Sequence, residues 1–184
     1  MKLLTPVKIV IGLGLLAYGI TAKVSPQTIE QIFAGPAPTF SGPDDRYTLV
    51  EGSIYDGDTF RVISNSNQEI KVRLCGIDSP EKEQAFGVEA RDHLRKLIDK
   101  GNGQIILAET DIDQYGRTIA EAFIPLAGSD KEIHIISQSV SDGYAYVYPQ
   151  YVNSCPNAVP IQSAERIAKT QSKGVWSNAS AQKP

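Results

Sequence analysis

The chain has 184 residues, 41% hydrophobic and 21% charged, with 18 basic against 21 acidic residues and a formal charge of -3. These figures suit one globular domain with a short appendage; the two cysteines and two histidines have no spacing that resembles a zinc site, which sets structural zinc aside. The acidic balance also excludes a protein that holds polyanions tightly by diffuse positive charge, so a phosphate-rich partner must meet a few locally concentrated cations.

At the amino terminus, Lys2 and Lys8 are followed by an uncharged run from Ile9 to Ala22. That run suits the apolar core of a secretory signal and falls short of the about 20 residues a membrane span needs. Cleavage after Ala22 would put Ile20 where a small residue is usual, so an uncleaved membrane anchor over 1–22 remains the second reading. Both place the rest of the chain outside the cytoplasm, secreted or tethered to the outer face of the membrane. Removing the segment takes away two of the 18 basic residues and deepens the charge from -3 to -5. Residues 23–44 form a linker, because Gly35-Pro36-Ala37-Pro38-Thr39-Phe40-Ser41-Gly42-Pro43 cannot build a helix or a central strand. The domain is expected over 45–177, with a flexible tail over 178–184.

Alternating apolar residues predict strands over Tyr47–Tyr55, Thr59–Ser64 and Glu69–Leu74, separated by Asp56-Gly57-Asp58 and Asn65-Ser66-Asn67. Val88–Asp99 has helical spacing, with Ala90, Leu94, Leu97 and Ile98 on one stripe. Gly101 and Gly103 break it, and strands follow over Gln104–Glu109 and Arg117–Ile124. Ile133–Asp142 reads as a short helix stopped by Gly143, and Ala158–Lys173 as a longer one with Ile161, Ala164, Ile167 and Ala168 inward. Five strands in the first half and helices in the second predict an α+β domain, a five-stranded oligonucleotide-binding (OB-fold) barrel covered by three helices.

Three segments carry chemistry. Asp56-Gly57-Asp58-Thr59 sets two carboxylates beside a glycine at a strand start, which by itself also describes a tight turn. Arg73-Leu74-Cys75-Gly76-Ile77-Asp78-Ser79-Pro80-Glu81 holds one cation and two carboxylates within nine residues. A structural ion pair between Arg73 and Asp78 is the plain alternative there; the strand period sets the two on opposite faces unless Gly76 bends the chain. Asp113-Gln114-Tyr115-Gly116-Arg117 reads as a hairpin tip. Together with Gly143-Tyr144-Ala145-Tyr146-Val147-Tyr148 and Gly174-Val175-Trp176, these segments resemble the staphylococcal nuclease, or thermonuclease-like, family, over a span from about Tyr47 to Trp176.

The resemblance implies the same barrel with three helices and a calcium-dependent hydrolase of DNA or RNA. It makes Asp58, Asp78 and the backbone carbonyl of Ser79 calcium ligands, Asp56 an outer-shell carboxylate, Glu81 the residue that activates or orients water, and Arg73 and Arg117 the pair that grips the phosphate. Tyr115, Tyr146 and Tyr148 hold positions where the family borders a nucleotide, though each also suits a barrel residue. Gln114 stands where the family's best-known member has a phosphate-touching Lys, which weakens any expected preference for chain ends. The segment after Glu81 is shorter than in that member and should hold Glu81 more tightly. His93 and His134 read as surface or packing residues. Some members of the family keep the barrel and lose the catalytic groups, so a binding module is the competing class; this chain retains the groups. Cys75 and Cys155, the only cysteines of a chain read as exported, are expected to form a disulfide, because the resembled fold brings their regions together. A buried Cys75 thiol beside an exposed Cys155 is the alternative.

Overall fold

The computed structural model describes residues 46–177; the signal or anchor over 1–22, the linker over 23–44 and the tail over 178–184 lie outside the described residues. Strands β1 (Arg46–Leu49), β2 (Thr59–Ser64) and β3 (Glu69–Leu74) form an antiparallel meander. The first strand is shorter than its alternation suggests. Gly52, at φ 72, turns the chain after Val50, and the backbone rejoins β2 only at Tyr55, whose N–H donates to the Thr59 carbonyl. A two-residue strand β4 (Ile77–Asp78) then leads through an irregular segment to helix α1 (Gly87–Asp99), which buries the expected stripe Ala90, Leu94, Leu97 and Ile98.

Strand β5 (Gln104–Ile112) pairs with β1 and, along its length from Ile106 and through an irregularity between Glu109 and Asp111, with β6 (Thr118–Pro125). The parallel pairing of β3 with β6, Val72 with Thr118 and Leu74 with Ala120, closes the order β3-β2-β1-β5-β6 into the expected five-stranded barrel. Phe60, Val62, Val72, Leu74, Ile105, Ala120 and Ala122 fill the core. β6 is buried on both faces, because the barrel core covers one and the helical layer the other.

Where helix was expected from Ile133, a short strand β7 (Glu132–His134) comes first and helix α2 (Ile135–Ser141) begins after it. β3 covers only the first half of that edge of β6; the second half is open and takes Glu132–His134 as a partner. The tyrosine-rich strand β8 (Tyr146–Val147) pairs with β4 outside the barrel. Helix α3 (Ala158–Thr170) buries Ile161, Ala164 and Ala168, whereas Ile167 is half-buried. It ends short of Lys173 because Ser172 adopts φ 50 and the Lys173 N–H turns back to the Ala168 carbonyl, the left-handed close of many helices. Both histidines pack inside the domain: His134, on β7, stacks on Phe123 of β6, and His93, on α1, packs on Tyr144 and bonds Asp142.

Candidate active site

The site is built where β2, β3 and β4 begin or end. Asp56 Oδ1 accepts the backbone N–H groups of Asp58 and Thr59 at 2.9 and 2.7 Å, so Asp56 shapes the turn that opens β2. Gly57 must lack a side chain, since a Cβ there would lie 2.6 Å from Ser79 Oγ and 2.8 Å from Ala90 Cβ. The turn therefore packs against Ser79, just past β4, and against α1. Asp58, only 3% exposed, accepts from Thr59 Oγ1 at 3.0 Å and from the Ser79 N–H at 2.8 Å.

Arg73 lies on the outer face of β3 and reaches across the turn. Its Nη1 donates to the carbonyls of Leu74 and Ile77 at 2.9 and 2.8 Å and lies 3.2 Å from Asp58 Oδ2; its Nη2 meets Asp78 Oδ1 at 3.0 Å. Alternation alone would separate Arg73 from Asp78. Gly76, at φ 66, reverses the chain and joins them. The structural ion pair and the candidate cluster are thus one object, with Arg73 held between Asp58 and Asp78.

Electrostatics show how crowded the carboxylates are. Burial, reinforced by Asp56 and Asp78 and opposed by Arg73, pushes the pKa of Asp58 up to about 7. Asp78 is raised by burial and then by Asp56, again against Arg73. Glu81 stands exposed at the rim, where partial desolvation and then repulsion from Asp56 and Asp78 raise it. Its backbone is pinned: its N–H donates to Gln84 Oε1 at 2.8 Å, its carbonyl accepts the Gln84 N–H at 2.8 Å, and the carbonyl fits against Gly87, where a Cβ would come within 1.8 Å. Gln84 is a positioning residue that sequence reasoning missed, because nothing in its local pattern marks it.

Among the described residues no three His, Cys, Asp or Glu side chains converge as a ready-made metal cluster. The donors present are two carboxylates, a backbone carbonyl and the buried Ser79 hydroxyl, which has no hydrogen-bond partner. Hard oxygens in excess over cationic charge, with no nitrogen or sulfur, fit a calcium-type ion that keeps water in its shell.

Among the described residues, Arg117 makes no hydrogen bond or ion pair to this cluster and is held instead by Asp113. Asp113 Oδ1 accepts from the N–H groups of Tyr115 and Arg117, both at 2.9 Å, and its Oδ2 takes Arg117 Nε at 2.6 Å. The tyrosines divide. Tyr115 is 75% exposed, and Tyr148 is exposed, meeting Tyr151 edge-on at 4.8 Å. Tyr146 is 3% exposed with its ring against Trp176. Tyr151 went unnoticed in the sequence, although an aromatic three residues after Tyr148 was a legible signal. Cys75 and Cys155 are bonded, with Cα atoms 5.9 Å apart.

The family model described as staphylococcal nuclease homologue matches residues 71–178, a span that holds Arg73, Asp78, Ser79, Glu81 and Arg117. The chain belongs to the staphylococcal nuclease family. Among its relatives in that family is a micrococcal nuclease of Shigella flexneri, 37% identical over 71% of this chain and 74% of the relative. An uncharacterized endonuclease of Haemophilus influenzae is 34% identical over 68% of this chain and 64% of its own length. One of Escherichia coli O157:H7 is 31% identical over 68% and 74% respectively.

Proposed function

We propose that the chain is a calcium-dependent nuclease, exported by residues 1–22 and either secreted or held at the outer face of the membrane, that hydrolyses phosphodiester bonds of DNA or RNA. Family membership and the nuclease-named relatives support cleavage of nucleic acid. The observation that carries the finer reading is the clasp of Arg73 between Asp58 and Asp78, with Glu81 at its rim. Among the described residues no helix is long and apolar enough to cross a membrane; the tether reading rests on 1–22 alone.

Asp58, Asp78 and the Ser79 carbonyl would hold the calcium, which when bound supplies a positive charge to offset the anionic diester and lowers the pKa of a coordinated water. Glu81, raised by its neighbours and pinned at the backbone, accepts a proton from the attacking water or aligns it. The guanidinium forks of Arg73 and Arg117 donate to the phosphate oxygens on which charge grows during attack, a geometry that Lys lacks. Asp56 holds the turn that carries Asp58.

The test is cleavage of defined single- and double-stranded DNA and RNA by the purified chain in calcium and in chelator. Chelator-sensitive cleavage of any of them supports the reading; cleavage indifferent to chelator removes calcium from it, and none at all removes the enzyme.

A further inference from the structure

Strands β2 and β3 carry a pair of cations that the barrel does not need. Arg61 and Lys71 are direct cross-strand partners on the outer face, their neighbours Phe60, Val62 and Val72 pointing into the core. Like charges placed directly opposite each other destabilise a sheet. Glu69 pairs with Arg61, and among the described residues Lys71 makes no ion pair. The Tyr55 ring covers both cations instead, 5.8 Å from Arg61 Cζ and 5.2 Å from Lys71 Nζ, and its hydroxyl accepts Arg61 Nε at 2.7 Å. The ring remains 45% exposed.

The row continues onto the next strand. Val72 pairs with Thr118, both inward, so the preceding rung sets Lys71 level with Arg117 on the outer face. Arg117 lies over its own exposed ring, Tyr115, at 5.5 Å. Arg61, Lys71 and Arg117 thus cross three strands at a spacing of about 4.8 Å, and Lys71 precedes Arg73 on the same face by two residues, about 6.6 Å. A cleft of about 530 Å³, lined by Lys71, Gly116 and Thr118 and by the carboxylates of Glu69 and Glu109, opens beside Lys71. Cations interleaved with exposed aromatic rings are the pattern of single-strand binding surfaces, here concentrated on a chain whose net charge is -3.

We infer that Tyr55, Arg61 and Lys71 form a second nucleic-acid subsite, which takes a phosphate and an unpaired base of the strand whose scissile phosphate lies at Arg73. The inference rests on the nuclease reading above for the identity of that strand. Lys71 takes the phosphate next along the strand from Arg73, and the open part of the Tyr55 ring takes the base.

The test is fluorescence anisotropy of a short labelled single-stranded oligodeoxynucleotide with the full chain in chelator, across a salt series. Lys71→Gln and Tyr55→Ala should each bind roughly tenfold more weakly, and Lys71→Gln should flatten the dependence of log affinity on log salt by about 0.7. Lys131→Gln, an equal loss of charge at the β6–β7 turn, should do neither. With calcium, both variants should raise KM for the oligonucleotide and leave hydrolysis of a mononucleotide aryl phosphodiester, too short to reach the subsite, unchanged. Wild-type affinity and salt slope in both variants would overturn the subsite, as would an equal loss on the short diester. Equal weakening toward a duplex would overturn the single-strand assignment. A wild type that cleaves neither substrate would sink the nuclease reading while the anisotropy still decides the subsite.

Discussion

The Sγ atom of Cys155 occupies the space a side chain on Gly76 would need: a Cβ at Gly76 would come within 2.6 Å of it and 2.7 Å of the Val152 Cα. Gly76 also sits at φ 66, where an L side chain is strained. Gly76→Ala should therefore cost about 2–4 kcal/mol, from left-handed backbone strain and overpacking together. Urea denaturation measures the loss, and a near-wild-type midpoint would show that the turn relaxes without penalty.

The disulfide links positions 80 residues apart and anchors the turn between Arg73 and Asp78 to the loop before α3. Closing a loop of that length is worth up to about 4–5 kcal/mol in the chain-entropy account. The Cys75→Ala/Cys155→Ala variant should lose much of this, and added reductant should bring the wild type toward it. Turnover should fall with stability, because the bridge backs the segment that presents Arg73 and Asp78. Equal denaturation midpoints for variant and wild type would contradict this account.

Arg73 is the cation hydrogen-bonded within the carboxylate cluster. In chelator, Arg73→Ala leaves Asp58 and Asp78 facing each other and should cost about 3 kcal/mol, as removal of one partner from a buried pair does. Calcium should restore part of that loss by taking over the neutralisation, which thermal melts with and without the ion would show. Turnover of Arg73→Ala and of Arg117→Ala should each fall by about 100- to 1,000-fold. A folded Arg117→Ala enzyme with ordinary turnover would remove that residue from the reaction.

Under the proposed function, Asp58 and Asp78 hold one calcium ion. Titration calorimetry should find a single site in the wild type and an affinity at least about tenfold weaker in Asp58→Ala, since even outer partners of metal ligands matter to that degree. Unchanged affinity would rule Asp58 out as a ligand.

His134 is nearly buried, and burial pushes its pKa down to about 4 from 6.5. A depressed folded pKa means that its contribution to stability is present above 6.5 and is lost as pH falls toward 4, where the unfolded chain binds a proton that the folded one refuses. The shift corresponds to at most about 3 kcal/mol. His134→Phe, which keeps a ring against Phe123, should flatten that decline. Burial raises Glu121, whose Oε2 lies 3.6 Å from His134 Nε2, so its own contribution runs oppositely and is lost as pH rises above 4.5. The difference between wild type and variant across pH 4–6.5 reports His134 together with its effect on the neighbouring Glu121; parallel curves would refute the assignment.

Much of this molecule was legible in order along the chain. The alternation of Phe60, Val62, Val72 and Leu74, and the helical stripe of Ala90, Leu94, Leu97 and Ile98, are local periodicities that burial enforces residue by residue, so the barrel strands and α1 followed from them. Asp56–Thr59, Arg73–Glu81 and Asp113–Arg117 each read alone as a turn, an ion pair or a hairpin tip; only their order along the chain, through the resemblance to the family, marked them as candidate groups. What lies between distant segments was set only by tertiary structure. The edge of β6 left open by β3 drew Ile133 and His134 out of the expected helix, and the tertiary structure buries Tyr146 against Trp176 while leaving Tyr115 exposed. Gly76 was legible as a bend; its exclusion of any side chain depends on Cys155, 79 positions away in the chain. The row of Arg61, Lys71 and Arg117 exists only because β3 pairs with both β2 and β6, a closure that no local pattern encodes.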